Sequence, residues 1–121
     1  MKKPLLTLLL IASLGPALAA ADVTGDWELE LNPDFGGVDD VVACTFKQDG
    51  EKLTANCGGG PNILGEVQGQ TVIFVVKTGT KQEYAATFTG ELDQRATTIT
   101  GAWTLTDENG KREGKFTLRK R

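Results

Sequence analysis

Apolar and polar residues alternate along most of this chain with a period of two, as they do in β-strands that bury one face. The first such segment alternates apolar Trp27, Leu29 and Leu31 with acidic Asp26, Glu28 and Glu30. In the later segments, the alternate residues expected to face the interior, which we call the inward phase of each strand, are Val42, Cys44 and Phe46; Leu53, Ala55 and Cys57; Tyr84, Ala86 and Phe88; Ile99, Gly101, Trp103 and Leu105; and Phe116 and Leu118. No segment with a helical period reaches about ten residues. The pattern therefore predicts an all-β protein.

Short turns separate these segments and predict hairpins. Asp49-Gly50 and Asn109-Gly110 favour two-residue turns, in which both central positions need positive φ. Gln68-Gly69-Gln70 separates an apolar segment over 63–67 from another over 71–77. About eight strands joined by such turns predict an eight-stranded antiparallel up-and-down barrel, with a β-sandwich as the alternative.

The charges at the two ends of the domain favour closure into a barrel. The first strand carries only acidic charges, whereas residues 111–121 contain six basic side chains. In a closed meander the first and last strands pair antiparallel, and opposite charges across strands contribute roughly 0.2–1 kcal/mol each. The alternative is a basic tail that is simply solvated. The side chains expected to meet are Glu28 and Glu30 on one strand and Lys115 and Arg119 on the other.

The start of the chain has the features of a secretory signal peptide. Two lysines give a positive start, and residues 5–14 form an uncharged apolar run. That run of about ten residues is too short for a membrane span of ~20, so we expect no stable membrane anchor. Cleavage after Ala19 and cleavage after Ala21 both fit the small-x-small pattern, so the mature chain is expected to start between Ala20 and Asp22.

We therefore assign residues 1–20 to a signal peptide and residues 22–121 to a single β-barrel domain of about 100 residues. The protein is expected to be exported, and so periplasmic or extracellular. The chain has 13 basic and 16 acidic residues, and loss of the two signal lysines leaves a net charge of −5. This acidic balance argues against nucleic acid or an anionic membrane as a partner.

Cys44 and Cys57 are the two cysteines of the chain, and both fall on inward phases. Export exposes them to an oxidising compartment, so a disulfide is expected. It would close a loop of about 14 residues, worth ~3 kcal/mol in the chain-entropy model. A two-residue Asp49-Gly50 turn would make the cysteines diagonal neighbours, whereas a four-residue loop over 49–52 would place them directly opposite. We expect the longer loop or a bulge.

The mature chain lacks the residues of most catalytic sites. It contains no histidine and no serine, which excludes Ser-His and Cys-His nucleophiles. Gly58-Gly59-Gly60 lacks the lysine and the following Ser or Thr of a phosphate-binding loop. Asp34, Asp39 and Asp40 do not fit an EF-hand, although weaker cation binding by this loop is an alternative. We predict a protein that is not an enzyme and that uses neither a metal nor a cofactor.

Two Thr-Gly-x-Trp sequences, at 24–27 and 100–103, each open an alternating segment. Gly25-x-Trp27 on a first strand, with a basic residue such as Arg119 near the chain end, resembles the calycin superfamily. That group includes lipocalins, fatty-acid-binding proteins, avidins and a family of periplasmic metalloprotease inhibitors. The resemblance implies structural roles for these three residues, because in calycins the C-terminal basic side chain packs over the first-strand tryptophan at one end of the barrel. By strand phase, Arg119 points outward here and Lys120 points inward.

Four inward aromatic residues could line a ligand cavity: Trp103, Tyr84, Phe74 and Phe88. The small residues that would leave room beside them are Gly65, Ala86, Gly101 and Gly114. The alternative is that small and large residues together fill a narrow barrel. The segment over 72–76 is apolar on both faces, so its outer side could meet a partner or a covering loop.

Three functions fit these features. The first is a non-enzymatic carrier that binds a small apolar molecule in or at the mouth of the barrel. The second is a protein-binding module such as a protease-inhibitor-like barrel, and the third is a structural envelope protein. A cavity in the barrel would favour the carrier, whereas a filled barrel with an exposed apolar patch would favour protein binding.

Overall fold

The computed structural model describes residues 20–32, 40–60, 62–78 and 80–121, and their strands form one closed antiparallel barrel. The strands are β1 (Gly25–Asn32), β2 (Asp40–Asp49), β3 (Lys52–Cys57), β4 (Ile63–Gln68), β5 (Thr71–Thr78), β6 (Tyr84–Leu92), β7 (Thr98–Asp107) and β8 (Gly110–Lys120). Each strand pairs with its neighbours in the chain, and β1 pairs with β8 to close the sheet. The predicted eight-stranded up-and-down barrel is confirmed, and the sandwich alternative is wrong.

The β1–β8 seam carries the charge pairing that favoured closure. Arg119 lies 3.3 Å from Glu30, and Arg121 lies 3.7 Å from Glu28. Lys115 faces an asparagine across the seam and not a glutamate. All four paired side chains are about half exposed, so each ion pair contributes little, roughly 0–1 kcal/mol. The strand hydrogen bonds and the buried inward side chains therefore hold the seam together, and the ion pairs add little.

The β2–β3 hairpin has the register that places the cysteines opposite each other. Cys44 pairs directly with Cys57, and the two form a disulfide with a Cα–Cα distance of 4.1 Å. This is the register predicted for the longer loop. The ladder continues to an Asp49–Lys52 pair, however, so only two residues form the turn. Gly50 takes the position of positive φ, at 64°.

The β7–β8 hairpin turns one residue earlier than the Asn-Gly pair suggested. Asp107 pairs with Gly110, so Glu108 and Asn109 form the tip. The Asp107 carboxylate accepts a hydrogen bond of 2.8 Å from the backbone N–H of Asn109, which fixes the chain at this register. Gly110 follows with a φ of 106°, a value that side-chain-bearing residues rarely adopt. The predicted Asn109-Gly110 tip is therefore wrong by one position.

The predicted inward phases form the core. Four phenylalanines, Phe46, Phe74, Phe88 and Phe116, cross the barrel as one cluster with ring centroids 4.8–6.0 Å apart. Trp27 extends this cluster toward one end, with its ring centroid 5.9 Å from that of Phe46. Both tryptophans are fully or almost fully buried. Aliphatic side chains complete the interior, among them Leu29, Leu53, Val67, Val72, Ile99 and Leu118.

The segment that precedes β1 closes this end of the barrel. Val23 is fully buried, and its carbonyl accepts a hydrogen bond of 2.9 Å from Trp27 Nε1. Gln48 holds the segment with two bonds, since its Oε1 accepts from Val23 N at 2.8 Å and its Nε2 donates to Ala21 O at 2.6 Å. Ala21 N donates to Gly69 O at 2.8 Å. We call residues 20–24 the end plug.

Candidate functional site

The glycines expected to leave room in the barrel are occupied by their neighbours. A Cβ atom placed on Gly114 would lie 2.8 Å from three atoms of the Trp103 indole, which therefore lies against this glycine. A Cβ on Gly65 would lie 2.8 Å from Phe74 Cβ. A Cβ on Gly101 would collide with the backbone of β6. Of the two possibilities, a cavity or a filled barrel, the filled barrel is found beside these glycines, because they accommodate bulky side chains and close strand approaches.

Three of the four candidate ligand residues meet in the middle of the barrel. Phe74 and Phe88 stack with centroids 4.8 Å apart and an interplanar angle of 7°. Trp103 lies directly opposite Phe88 in the β6–β7 ladder. All three are buried and belong to the filled core. Their role in ligand binding stays a prediction, while their packing shows why this layer of the barrel is closed.

Tyr84 lies apart from this cluster, at the barrel end opposite the end plug. It is half-buried at the start of β6, one position beyond the Ala85–Thr106 pair. Partial burial, together with the nearby carboxylates of Glu108 and Glu83, raises the pKa of its phenol. An ion pair of 2.8 Å between Arg112 and the mostly buried Asp107 lies at the same end. This end, which we call the mouth, combines an aromatic ring with paired charges.

The outer surface of the barrel carries a face without charge. One row of directly paired outward residues runs across four strands: Leu64, Val75, Thr87 and Thr104. The adjacent row on β5 to β7 consists of Ile73, Thr89 and Ala102. Leu64, the second residue of β4, is a large aliphatic side chain that is 68% exposed. We call these seven residues the uncharged face.

Charged residues surround the uncharged face on its borders. Toward the mouth, the next row places Lys77 and Lys111 on either side of Ala85 and Thr106. Toward the plugged end, the next row contains Glu91. On one side, Glu66 lies directly beside the face, and Lys47 and Lys52 lie one strand further out; on the other side, the direct neighbours are Glu113 and Lys115. The face is therefore an uncharged island with a basic border at the mouth side.

A shallow groove of ≈ 290 Å³ adjoins Leu64 on the outer side of β2 and β3. The residues that line it are Thr45, Lys47, Thr54, Ala55, Asn56 and Asn62. The Asn56 amide donates a hydrogen bond of 2.6 Å to Gly60 O, which fixes one wall of the groove. Leu64 therefore lies between the uncharged face and a groove whose lining includes threonine and asparagine side chains.

The carboxylates of the described residues have structural partners or solvated positions. Hydrogen bonds from the backbone of Thr97 and Thr98 lower the pKa of Asp93, which holds the β6–β7 turn. No cluster of three or more potential metal ligands occurs within the described ranges. Asp34 and Asp39 lie outside them, as does the side chain of Asp40, so the cation hypothesis stays a prediction.

The first-strand residues of the calycin resemblance occupy the plugged end. Lys120 Nζ lies 5.8 Å from the centroid of the Trp27 ring, within the range of a cation–π contact. A Cβ on Gly25 would lie 3.2 Å from Lys120 Cε, so the glycine gives this lysine its path over the indole. Arg119 pairs with Glu30 on the outside of the seam. The position over the tryptophan therefore belongs to Lys120 and not to Arg119.

The closed eight-stranded antiparallel barrel is consistent with a calycin-like fold. The Cys44–Cys57 disulfide is compatible with an oxidising compartment. Within the described part of the chain, no helix has the length and apolar character needed to cross a membrane. Comparisons with protein-family profiles, with curated proteins and with solved structures find no match to this chain.

Proposed function

We propose that this chain is an exported, non-enzymatic binding module of calycin type that recognises a protein partner through the uncharged face. The observation that carries the proposal is the 68% exposed Leu64 at the edge of two uncharged outward rows. The barrel beneath this face is filled by aromatic side chains, which favours recognition at the surface over storage of a ligand inside. The seven contiguous outward positions of this face carry no charge.

The composition of the face suits the core of an interface. Interface cores are depleted of charged residues and surrounded by a polar rim. Thr87 and Thr104 are β-branched, so they lose little rotamer freedom when a partner covers them. The eight described strands form a closed barrel without a free edge among them, so a partner of these strands would bind through side chains and not by strand addition.

The rim charges define the kind of partner. Lys77 and Lys111 border the face on the mouth side. A complementary protein presents an apolar patch with acidic residues along the edge that meets these lysines, because complementary rims raise association rates and exclude wrong partners. A partner with a uniformly basic rim is disfavoured.

Site-specific crosslinking tests this assignment. A photoreactive residue at Thr87 is expected to trap a protein partner of discrete mass in the exported compartment. The same residue at Glu28 provides the control, since Thr87 lies on β6 and Glu28 lies on β1, three strands away around the closed barrel. Equal trapping of the same protein from Glu28 would contradict the proposal.

Leu64→Asp then measures the contribution of the face in the purified complex. Leu64 is exposed, so the substitution should change the free energy of unfolding by no more than about 0.5 kcal/mol. Binding is expected to weaken by roughly 10- to 100-fold, because the substitution replaces an exposed apolar contact with an unpaired charge. The matched control is Glu30→Gln on the seam. Unchanged affinity of Leu64→Asp, with loss in the control, would place the interface elsewhere.

A second candidate function is binding of a small apolar molecule at the mouth. The half-buried Tyr84 favours this candidate, because its ring is accessible while the aromatic residues below it are packed. An apolar fluorescent probe is expected to bind at about one molecule per chain, and Tyr84→Ala is expected to abolish binding. Thr100→Ala on the outer surface is the control. Binding that survives Tyr84→Ala would remove the mouth as the site.

A further inference from the structure

We propose that proteolytic processing of the exported chain occurs at the Ala19–Ala20 bond. Two peptide bonds fit the small-x-small rule equally. Ala17 and Ala19 are the small residues before the Ala19–Ala20 bond, and Ala19 and Ala21 are those before the Ala21–Asp22 bond. The sequence does not choose between them. The end plug distinguishes the two bonds. Cleavage at Ala19–Ala20 keeps Ala20 and Ala21, the first two residues of the plug, whereas cleavage at Ala21–Asp22 removes them.

Ala20 and Ala21 are parts of the folded domain. Both are partly buried and pack against the core. Ala21 N donates to Gly69 O at 2.8 Å, which ties the plug to the β4–β5 turn. Ala21 O accepts from Gln48 Nε2 at 2.6 Å, on the β2 side of the barrel. These two bonds attach the plug to β2 and to the nearby β4–β5 turn.

Cleavage after Ala21 would remove both bonds. Gly69 O would lose this donor, and Gln48 Nε2 would keep only Gly50 O, at 2.8 Å. It would also create a charged amino group at Asp22, one residue before the fully buried Val23. Cleavage after Ala19 retains every contact of the plug and places the new amino group at the half-buried Ala20. Because Ala21 forms hydrogen bonds in the folded domain, we infer that the mature chain begins at Ala20.

The mass of the exported protein tests this assignment. The full-length chain is expressed in an exporting bacterial host, and the product is analysed by intact mass and N-terminal sequencing. A product that begins at Ala20 is expected. A product that begins mainly at Asp22, or a chain that keeps residues 1–19 after export, would overturn the inference.

Two matched variants separate the bonds. Ala17→Leu changes the small residue that only the first site requires, and precursor is expected to accumulate. Ala21→Val changes the residue that only the second site requires, and its processing is expected to match that of the wild type. The reverse pattern would assign processing to the Ala21–Asp22 bond. Neither result depends on the uncharged face, so failure here leaves the proposed protein recognition standing.

Any Ala17→Leu product that starts at Asp22 gives a second readout. It lacks both Ala21 hydrogen bonds and is expected to melt about 4–8 °C lower than the product that starts at Ala20. Equal melting temperatures would show that Ala20 and Ala21 do not stabilise the folded domain, and would overturn the structural argument for cleavage at the Ala19–Ala20 bond.

Discussion

Trp27→Ala is expected to lower the free energy of unfolding by about 3–5 kcal/mol. Trp27 is fully buried, and its ring centroid lies 5.9 Å from that of Phe46. The substitution leaves a large cavity at the end of the aromatic cluster. It also removes the Nε1–H donor to Val23 O, which helps hold the end plug in place. The substitution therefore removes both a packing contact of the core and a hydrogen bond of the end plug.

Denaturant unfolding measures this loss directly. Trp103 remains in the variant and reports the transition through its fluorescence. Trp27→Phe is the matched control, since it keeps an aromatic ring but lacks the hydrogen-bond donor. It is expected to cost about 1–3 kcal/mol, the range for a lost buried hydrogen bond together with a smaller cavity. A loss below about 1 kcal/mol for Trp27→Ala would contradict the assigned role of this residue.

The alternation of residues was sufficient to predict the strands and the faces they bury. A strand exposes alternate side chains to opposite faces, so a period of two encodes burial directly. Trp27, Leu29 and Leu31 all point inward as predicted. Closure could be predicted as well, because the acidic and basic ends of the domain have a favourable arrangement only when β1 meets β8.

The hairpin turns were predicted less well, because several turn types suit the same residues. Asp49-Gly50 and Asn109-Gly110 both appeared to be tips, yet each glycine lies at a different position of its turn. A one-residue shift of a tip changes little in the local chain. The register is set by distant packing, which the turn residues alone do not report.

The sequence allows an interior filled by small and large residues, but composition does not show which neighbour fills each gap. The volume beside an inward glycine is either empty or occupied by a neighbouring side chain. Which of the two occurs depends on the direction in which that side chain points. The Trp103 indole leans over Gly114 and fills that space. Phe74 and Phe88 stack on each other across adjacent strands, which again requires knowledge of their pairing.

Two parts of the candidate sites could be predicted only in part. The apolar outer side of residues 72–76 indicates a portion of the uncharged face, but the full face appears only once the pairing aligns Leu64, Val75 and Thr87 in one row. The end plug had a weak sequence indication. Gln48 continues the inward phase of Cys44 and Phe46, and a polar residue there needs a partner. That partner is the backbone of the plug.

Removal of the disulfide gives the second large expected effect. The double variant Cys44→Ala/Cys57→Ala is expected to lose about 2–4 kcal/mol of unfolding free energy. The bond links residues 13 apart in sequence and directly opposite in the β2–β3 ladder. In the chain-entropy model its loss mainly enlarges the unfolded ensemble, so the folded barrel should keep its strand pairing. Both cysteines are replaced because a single substitution would leave a reactive thiol.

Three measurements distinguish this effect from a packing defect. Thiol titration of the unfolded wild-type protein without reductant should detect no free thiol, and two free thiols would contradict the bond. Reduced wild-type protein should be destabilised about as much as the double variant, because both lack the same crosslink. Amide exchange in the double variant should still protect the Phe46–Ala55 ladder pair, which lies two positions from the bond. A double variant far less stable than the reduced wild type would instead assign the loss to the small cavity left beside the buried Cys44 sulfur.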